Sequence, residues 1–206
     1  MPVSQVTRLV QRSKDEARLN GVRGKCVRFR ACKRGYTLAM ATATTVPLEV
    51  YLRSSYEPDA EYVDGVIEER PVGELDHAAW QEALLAYFRQ HRDWNVKAYP
   101  ELRVQVGRTR FRVPDVTVLD QNAPKEQIVT VPPLMVFEVL SPEDIMRRVL
   151  VKLADYAQMG IPGIFLIDPI DHKYFIYMDG SLEYIGGPVQ VAGRQIDFDE
   201  IAKLLA

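Results

Sequence analysis

Seven residues near the middle of the chain, Leu-Met-Val-Phe-Glu-Val-Leu at 134–140, pose a narrow folding problem. A short apolar run bounded by polar, Pro-containing segments reads as a strand covered on both faces at the centre of a sheet. Glu138 is then a carboxylate flanked by apolar side chains. An ionised group in that position is heavily penalised unless a cation or strong hydrogen-bond donors compensate it. The chain must therefore build a polar pocket against its own central strand. A metal ion and a buried Arg or Lys both meet that demand, and burial alone does not choose between them.

Asp115 repeats the pattern more mildly, at the head of Asp-Val-Thr-Val-Leu and directly after Pro114, a residue suited to the first position of a strand. If the two strands are adjacent, both acids point to one face and share a cation. Mg²⁺ or Mn²⁺ takes oxygen ligands, and one or two carboxylates with water and a substrate phosphate suffice. Such an ion polarises a phosphate and lowers the pKa of an attacking water. Lys152 lies mid-helix beside an apolar stripe. Its amine either reaches inward, where it orients a water or stabilises developing charge, or snorkels into solvent.

The surrounding pattern is regular. A capped helix is expected at 46–54, then strands at 61–67 and 68–71 around Asp64-Gly65, a dipeptide suited to a turn with positive φ. Residues 75–92 read as a helix with Asp76 as N-cap and Trp80, Leu84, Leu85 and Phe88 on one face. Strands follow at 101–106 and 111–119. The second long helix, 143–159, carries Ile145, Val149, Leu153 and Tyr156 on one stripe and ends at Gly160 and Pro162. A buried strand at 164–168, a hairpin about Asp179-Gly180, a short strand near Gln195 and a helix at 198–205 complete the chain. This order indicates an α/β (α+β) domain, a mixed β-sheet flanked by helices.

The net charge of −2 conceals two unlike parts. Ten Lys or Arg against Asp15 and Glu16 put residues 1–39 at +8, so the rest carries −10. The basic arm fits nucleic-acid contact, a targeting segment, or an extension ahead of the natural start. Met40, opening Met-Ala-Thr-Ala-Thr-Thr-Val-Pro, favours the last reading. The expected organisation is an N-terminal extension at 1–39, disordered or a start-site artefact, and a domain at 40–206. Cys26 and Cys32 support neither a disulfide framework nor a four-ligand zinc site. No apolar run reaches the roughly 20 residues of a membrane span, so a cytoplasmic location is the default expectation.

Phosphate contacts from Lys and Arg dominate nucleic-acid affinity, which sits poorly with an acidic domain. Arg108, Arg110 and Arg112 offer a local remedy, since alternation sends them to one strand face that either grips phosphate or is merely solvated.

Taken in order, Glu61-Tyr-Val-Asp-Gly, His77 at a helix head, Val113-Pro-Asp-Val, Phe137-Glu-Val-Leu-Ser-Pro, Lys152-Leu-Ala-Asp-Tyr, Gly160-Ile-Pro and Leu166-Ile-Asp-Pro resemble the Uma-type restriction endonuclease family. That bacterial family belongs to the PD-(D/E)XK nuclease superfamily, and the resemblance runs from about Met40 to the end. It implies a restriction-endonuclease-like fold with Asp115 and Glu138 on the metal. Where the superfamily usually has its lysine the chain has Leu140, which can still contribute a backbone carbonyl to the ion. The catalytic lysine moves to the following helix, at Lys152. Glu61 and His77 fall near the site by the same resemblance, although His77 also reads as a helix-end surface residue, and Glu101 is a more distant candidate ligand. One departure is Gly163-Ile-Phe165, where many relatives have Tyr-Trp.

The implied activity is hydrolysis of DNA phosphodiester bonds with Mg²⁺ or Mn²⁺, by a homodimer if both strands are cut. The competing reading is a non-catalytic module that keeps the nuclease fold and binds nucleic acid or protein. Retention of Asp115, Glu138 and Lys152 together favours catalysis.

Overall fold

The computed structural model describes residues 45–56, 59–70 and 73–205. The extension expected at 1–39, both cysteines and the start expected at Met40 lie outside them. The chain opens with a short helix α1 (Leu48–Arg53) and a hairpin of β1 (Ala60–Val63) and β2 (Val66–Glu69). The turn between these strands holds Asp64 at φ 50° and Gly65 at φ 95°, the two positive values that a two-residue turn matched to strand twist requires. The long helix α2 (Leu75–Gln90) follows. Next come β3 (Val96–Pro100), β4 (Val104–Gly107), β5 (Arg110–Arg112), β6 (Val116–Asp120) and β7 (Met135–Val139). Helix α3 (Met146–Met159) leads to β8 (Gly163–Asp168), β9 (Lys173–Met178) and β10 (Ser181–Tyr184). A small hairpin of β11 (Val189–Val191) and β12 (Arg194–Ile196) and the helix α4 (Phe198–Ala202) close the chain.

Among the described residues the strands form three sheets. The largest has the order β10-β9-β8-β7-β6-β3, and a four-stranded sheet has the order β2-β1-β5-β4. β7 and β8 are parallel and joined through α3, the crossover that parallel neighbours need. All five residues of β7 are buried, as a strand flanked by β6 and β8 should be.

Alternation then sorts the β7 side chains. Met135, Phe137 and Val139 join the core formed with Trp80, Leu84 and Phe88 of α2 and Phe198 of α4. Val136 points the other way, into the core made with Val149, Leu153 and Tyr156 of α3. Glu138 shares the parity of Val136, so the one acid of the strand is delivered to the α3 side.

Several expectations are corrected. The segment at 111–119 is not one strand: β5 and β6 belong to different sheets, and the chain changes sheet at Val113-Pro114-Asp115. Pro114 lacks the N–H that a continuous ladder would use. The strand expected to start at Glu101 starts at Val104; Glu101 has φ 51° and lies in a bend instead. β3 was not expected, because a half-exposed edge strand carries little apolar alternation. Asp76 stands in the first turn of α2 rather than at its N-cap, which is Glu74. Ile145 precedes α3 and is 57% exposed, so it does not extend the buried stripe. Gly160 ends α3 at φ 89°, the left-handed cap expected of it.

Candidate active site

The register of the β6–β7 pair builds the site. Val116 lies opposite Phe137 and Thr117 opposite Val136, so one step further sets Asp115 opposite Glu138. Residues directly opposite on an antiparallel pair share a face, which puts both acids toward α3. Asp115 Oδ2 accepts the Val139 N–H at 2.7 Å, locking its carboxylate onto the edge of β7. Asp115 and Glu138 are 3% and 7% exposed, so neither charge is left to bulk water.

Helix α3 answers Glu138. The Lys152 amine donates to Glu138 Oε2 at 2.7 Å, and the Tyr156 hydroxyl donates to Oε1 at 2.6 Å. The two donors are i and i+4 on the helix and therefore reach the same acid. The same amine contacts Glu61 Oε1 at 2.9 Å and donates to the Val113 carbonyl at 3.2 Å. Lys152 thus reaches inward rather than snorkelling. Glu61 stands on β1, where alternation sends Tyr62 to a separate aromatic cluster with Tyr51 and Phe111 and leaves Glu61 facing the cleft.

Asp115 has its own partners. Arg70, just past β2, donates to Oδ1 at 2.5 Å, and His77 Nε2 lies 3.2 Å from Oδ2. His77 is a buried residue of the first turn of α2, not a surface one. Gly73 makes room for it: a Cβ there would stand 3.0 Å from His77 Nδ1. Glu101 is exposed and reaches the site only through Arg70, at 3.4 Å. Leu140 lines the cleft, and its N–H donates to the Ile167 carbonyl at 2.8 Å.

The electrostatics follow from burial set against these contacts. Burial pushes the Glu138 carboxyl up to about 7, against the opposing pull of Lys152 and with help from the charges of Asp115 and Glu61. Burial also works against the Lys152 ammonium, but Glu138 and Glu61 outweigh it and hold the amine above the ordinary lysine range. Asp115 is buried too, yet the His77 hydrogen bond with the charges of Lys152, His77 and Arg70 holds it below the usual range. For Glu61, burial is overcome by Lys152, Arg112 and the Val113 N–H. His77 loses by burial and gains more from Asp115, so its pKa rises.

The arginine expectation needs correction. Arg110 and Arg112 do share a face, but that face is covered by Asp155 of α3. Arg112 is 2% exposed and pairs with Glu61 at 2.7 Å, Glu68 at 2.9 Å and Asp155 at 2.8 Å. Arg110 pairs with Asp64 and Asp155. Arg108 is exposed in the turn between β4 and β5, outside the cleft. A guanidinium already held by two or three carboxylates is not a free phosphate clamp.

Sequence reasoning missed Arg70, Tyr156 and Asp155 as polar members of the site. Arg70 carries no local signal. Tyr156 did, through its i+4 spacing from Lys152.

The mixed β-sheet flanked by helices is a restriction-endonuclease-like fold of the α+β kind. Residues 48–203 match the Uma2 family model, described as putative restriction endonuclease. The chain belongs to that family. It is similar to the crystal structure of a putative nuclease belonging to DUF820 from Anabaena variabilis ATCC 29413. That match has a TM-score of 0.65 and 23% identity, covering 74% of this chain and 94% of the other. A DrdV–DNA complex seen by electron cryomicroscopy matches far more loosely, with a TM-score of 0.32 and 17% identity over 63% of this chain and 13% of that one. A search of curated proteins finds no match in sequence. No helix among the described residues is long and apolar enough to cross a membrane.

Proposed function

We propose that this protein is a Mg²⁺-dependent endonuclease, also served by Mn²⁺, that hydrolyses DNA phosphodiester bonds in the cleft between β6, β7 and α3. The observation that carries the reading is the Lys152 amine lying 2.9 Å from Glu61 and 2.7 Å from Glu138, in the cleft that Asp115 also lines. A lysine aimed at a pair of buried acids has no packing purpose that a leucine would not serve better.

The donor set suits a hard ion. Among the described residues no three His, Cys, Asp or Glu side chains converge as a ready-made metal cluster. Asp115, Glu138 and the Leu140 carbonyl would hold the ion, with water and substrate phosphate completing it, which is how Mg²⁺ is usually bound. When bound, the ion polarises the phosphate and lowers the pKa of a water.

The chain's own residues do the rest. Lys152, kept cationic by its two acids, faces the negative charge that builds on the phosphorus oxygens as a sugar oxygen leaves. Glu61 and the Val113 carbonyl fix the direction of that amine. Tyr156 holds one Glu138 oxygen and His77 holds one Asp115 oxygen, so both acids are oriented before substrate arrives. Two symmetric copies cut both strands of a duplex, so a homodimer is the assembly expected on DNA.

The test is incubation of supercoiled plasmid with purified protein, with and without Mg²⁺ or Mn²⁺, beside Glu138→Ala. Cleavage that needs both the cation and Glu138 is the expected result. Protein that binds nucleic acid but cuts no DNA or RNA under any of these conditions is instead the non-catalytic module.

A further inference from the structure

Four cationic side chains line the cleft, namely Arg70, Arg112, Arg148 and Lys152. Arg112 sits on three carboxylates and Lys152 on two. Arg70 is held differently. One guanidinium nitrogen grips Asp115 Oδ1 at 2.5 Å, while another makes only a loose 3.4 Å contact with the exposed Glu101. Its hold on the site is one strong bond to one acid.

The surroundings of Asp115 give that bond a consequence. Oδ2 is already engaged by the Val139 N–H and by His77. The Val139 donor is fixed in the central strand and cannot step aside. Oδ1 has Arg70 as its partner among the described residues, and that partner comes from the end of an edge strand. A divalent cation that takes Asp115 as a ligand has Oδ1 as its open oxygen, and there it meets the Arg70 guanidinium both as a competitor for the oxygen and as a like charge within contact distance. The displaced guanidinium remains at the cleft wall, relieved of its main carboxylate and facing the volume where a phosphate must sit.

We infer that Arg70 is a resident cation on Asp115 which a divalent ion displaces, and which then serves as a phosphate ligand in the cleft. Two properties of the molecule fit this exchange. Asp115 is neutralised in the metal-free protein, so the buried acid needs no ion for the domain to fold. The cleft also gains a second guanidinium, beside that of the exposed Arg148, when metal is present, which ties part of its phosphate binding to metal binding despite the domain's acidity. Arginine suits the second task because its planar donor fork matches phosphate oxygens.

This inference rests on the nuclease reading, and the test separates the two. Mn²⁺ affinity is measured by calorimetry or electron paramagnetic resonance, without DNA, for wild type, Arg70→Gln and Arg70→Lys. Binding of a labelled 20-base-pair duplex is then measured with Ca²⁺ across a salt series. Arg70→Gln is expected to bind Mn²⁺ about tenfold more tightly, because the competitor is gone. The same variant is expected to bind duplex more weakly, with a salt slope smaller by about 0.9, the signature of one lost phosphate contact. Arg70→Lys, which keeps the charge, should lie closer to wild type on both readouts. A merely structural arginine would not move the two affinities in opposite directions. Unchanged or weaker Mn²⁺ binding in Arg70→Gln, or an unchanged salt slope, overturns the inference while leaving the nuclease reading to the plasmid assay. Failure of every variant to bind Mn²⁺ overturns both.

Discussion

Lys152 and Glu61 come from different parts of the fold, and the 2.9 Å between Nζ and Oε1 ties helix α3 to strand β1 of the smaller sheet. Glu61 makes two further links. Oε1 accepts the Val113 N–H at 3.0 Å, just where the chain crosses from one sheet to the other, and Oε2 takes Arg112 at 2.7 Å. Arg112 in turn grips Asp155 on α3, one turn from Lys152. The Lys152 amine is thus aimed by a ring of buried charges rather than by its own helix alone. Such a ring is stable only when complete, because removing one member leaves its partners charged and dry.

The ring makes Arg112 a structural residue, and Arg108, four residues earlier, should behave unlike it. Arg112→Leu leaves Glu61 and Asp155 short of their cation and is expected to lower unfolding stability by about 3–5 kcal/mol. Arg108→Ala, in an exposed turn, should stay within ~0.5 kcal/mol. Urea unfolding of both variants checks this. Equal effects would mean that the buried network contributes nothing specific.

Tyr156 should matter through one atom. Its hydroxyl donates to a carboxylate oxygen that is shielded from water. Tyr156→Phe keeps the ring packed and deletes only that donor, so the expected loss at pH 8, where Glu138 is ionised, is ~1.5–3 kcal/mol, the range for a hydrogen bond to a charged group. A loss below about 0.5 kcal/mol by urea titration would show that Glu138 finds a substitute donor.

How far the site was legible from sequence depends on the range of the signal. Glu138 announced itself because its strand leaves an acid no polar neighbour. The pairing of Asp115 with Glu138 needed strand adjacency, which periodicity suggests but register alone decides. Arg112 was misread because alternation gives the face a side chain points to, not what covers that face; here α3 covers it with Asp155. Arg70 could not be found, since its contact with Asp115 spans 45 residues and follows from where a hairpin ends. For the same reason β3 was missed and 111–119 was read as one strand. Local pattern reports elements, whereas the choice of sheet is made by tertiary packing.

Metal-free protein should grow less stable as pH rises from about 5 to 8. Burial lifts Glu138 from its ordinary 4.5 to about 7 in the folded state. The folded chain therefore binds that proton more tightly than the unfolded chain does. The stabilisation is present in full below about 4.5 and is lost as pH rises through about 7. In Glu138→Gln the charge cannot form. That variant should match wild type near pH 4.5 and exceed it by on the order of 2–3 kcal/mol at pH 8 in EDTA. Urea midpoints at the two pH values decide it. A difference that does not grow with pH would place the Glu138 pKa near its unfolded value.

Lys152 offers the sharpest separation of chemistry from stability. Lys152→Met removes the cation between Glu61 and Glu138 and leaves two buried carboxylates with like charge, so one of them must take a proton or the cleft must open. The variant is expected to lose about 3 kcal/mol or more near pH 8 and less near pH 5, where Glu138 is protonated. Adding Glu138→Gln to it should recover much of that stability, because only one acid then remains charged. Plasmid cleavage should fall at least ~100-fold in the single variant and stay lost in the double, since electrostatic stabilisation of this kind is commonly worth that much. A single variant that still cuts within tenfold of wild type would take Lys152 out of the chemistry. A stability loss that is the same at both pH values would instead mean that Glu61 and Glu138 are never charged together.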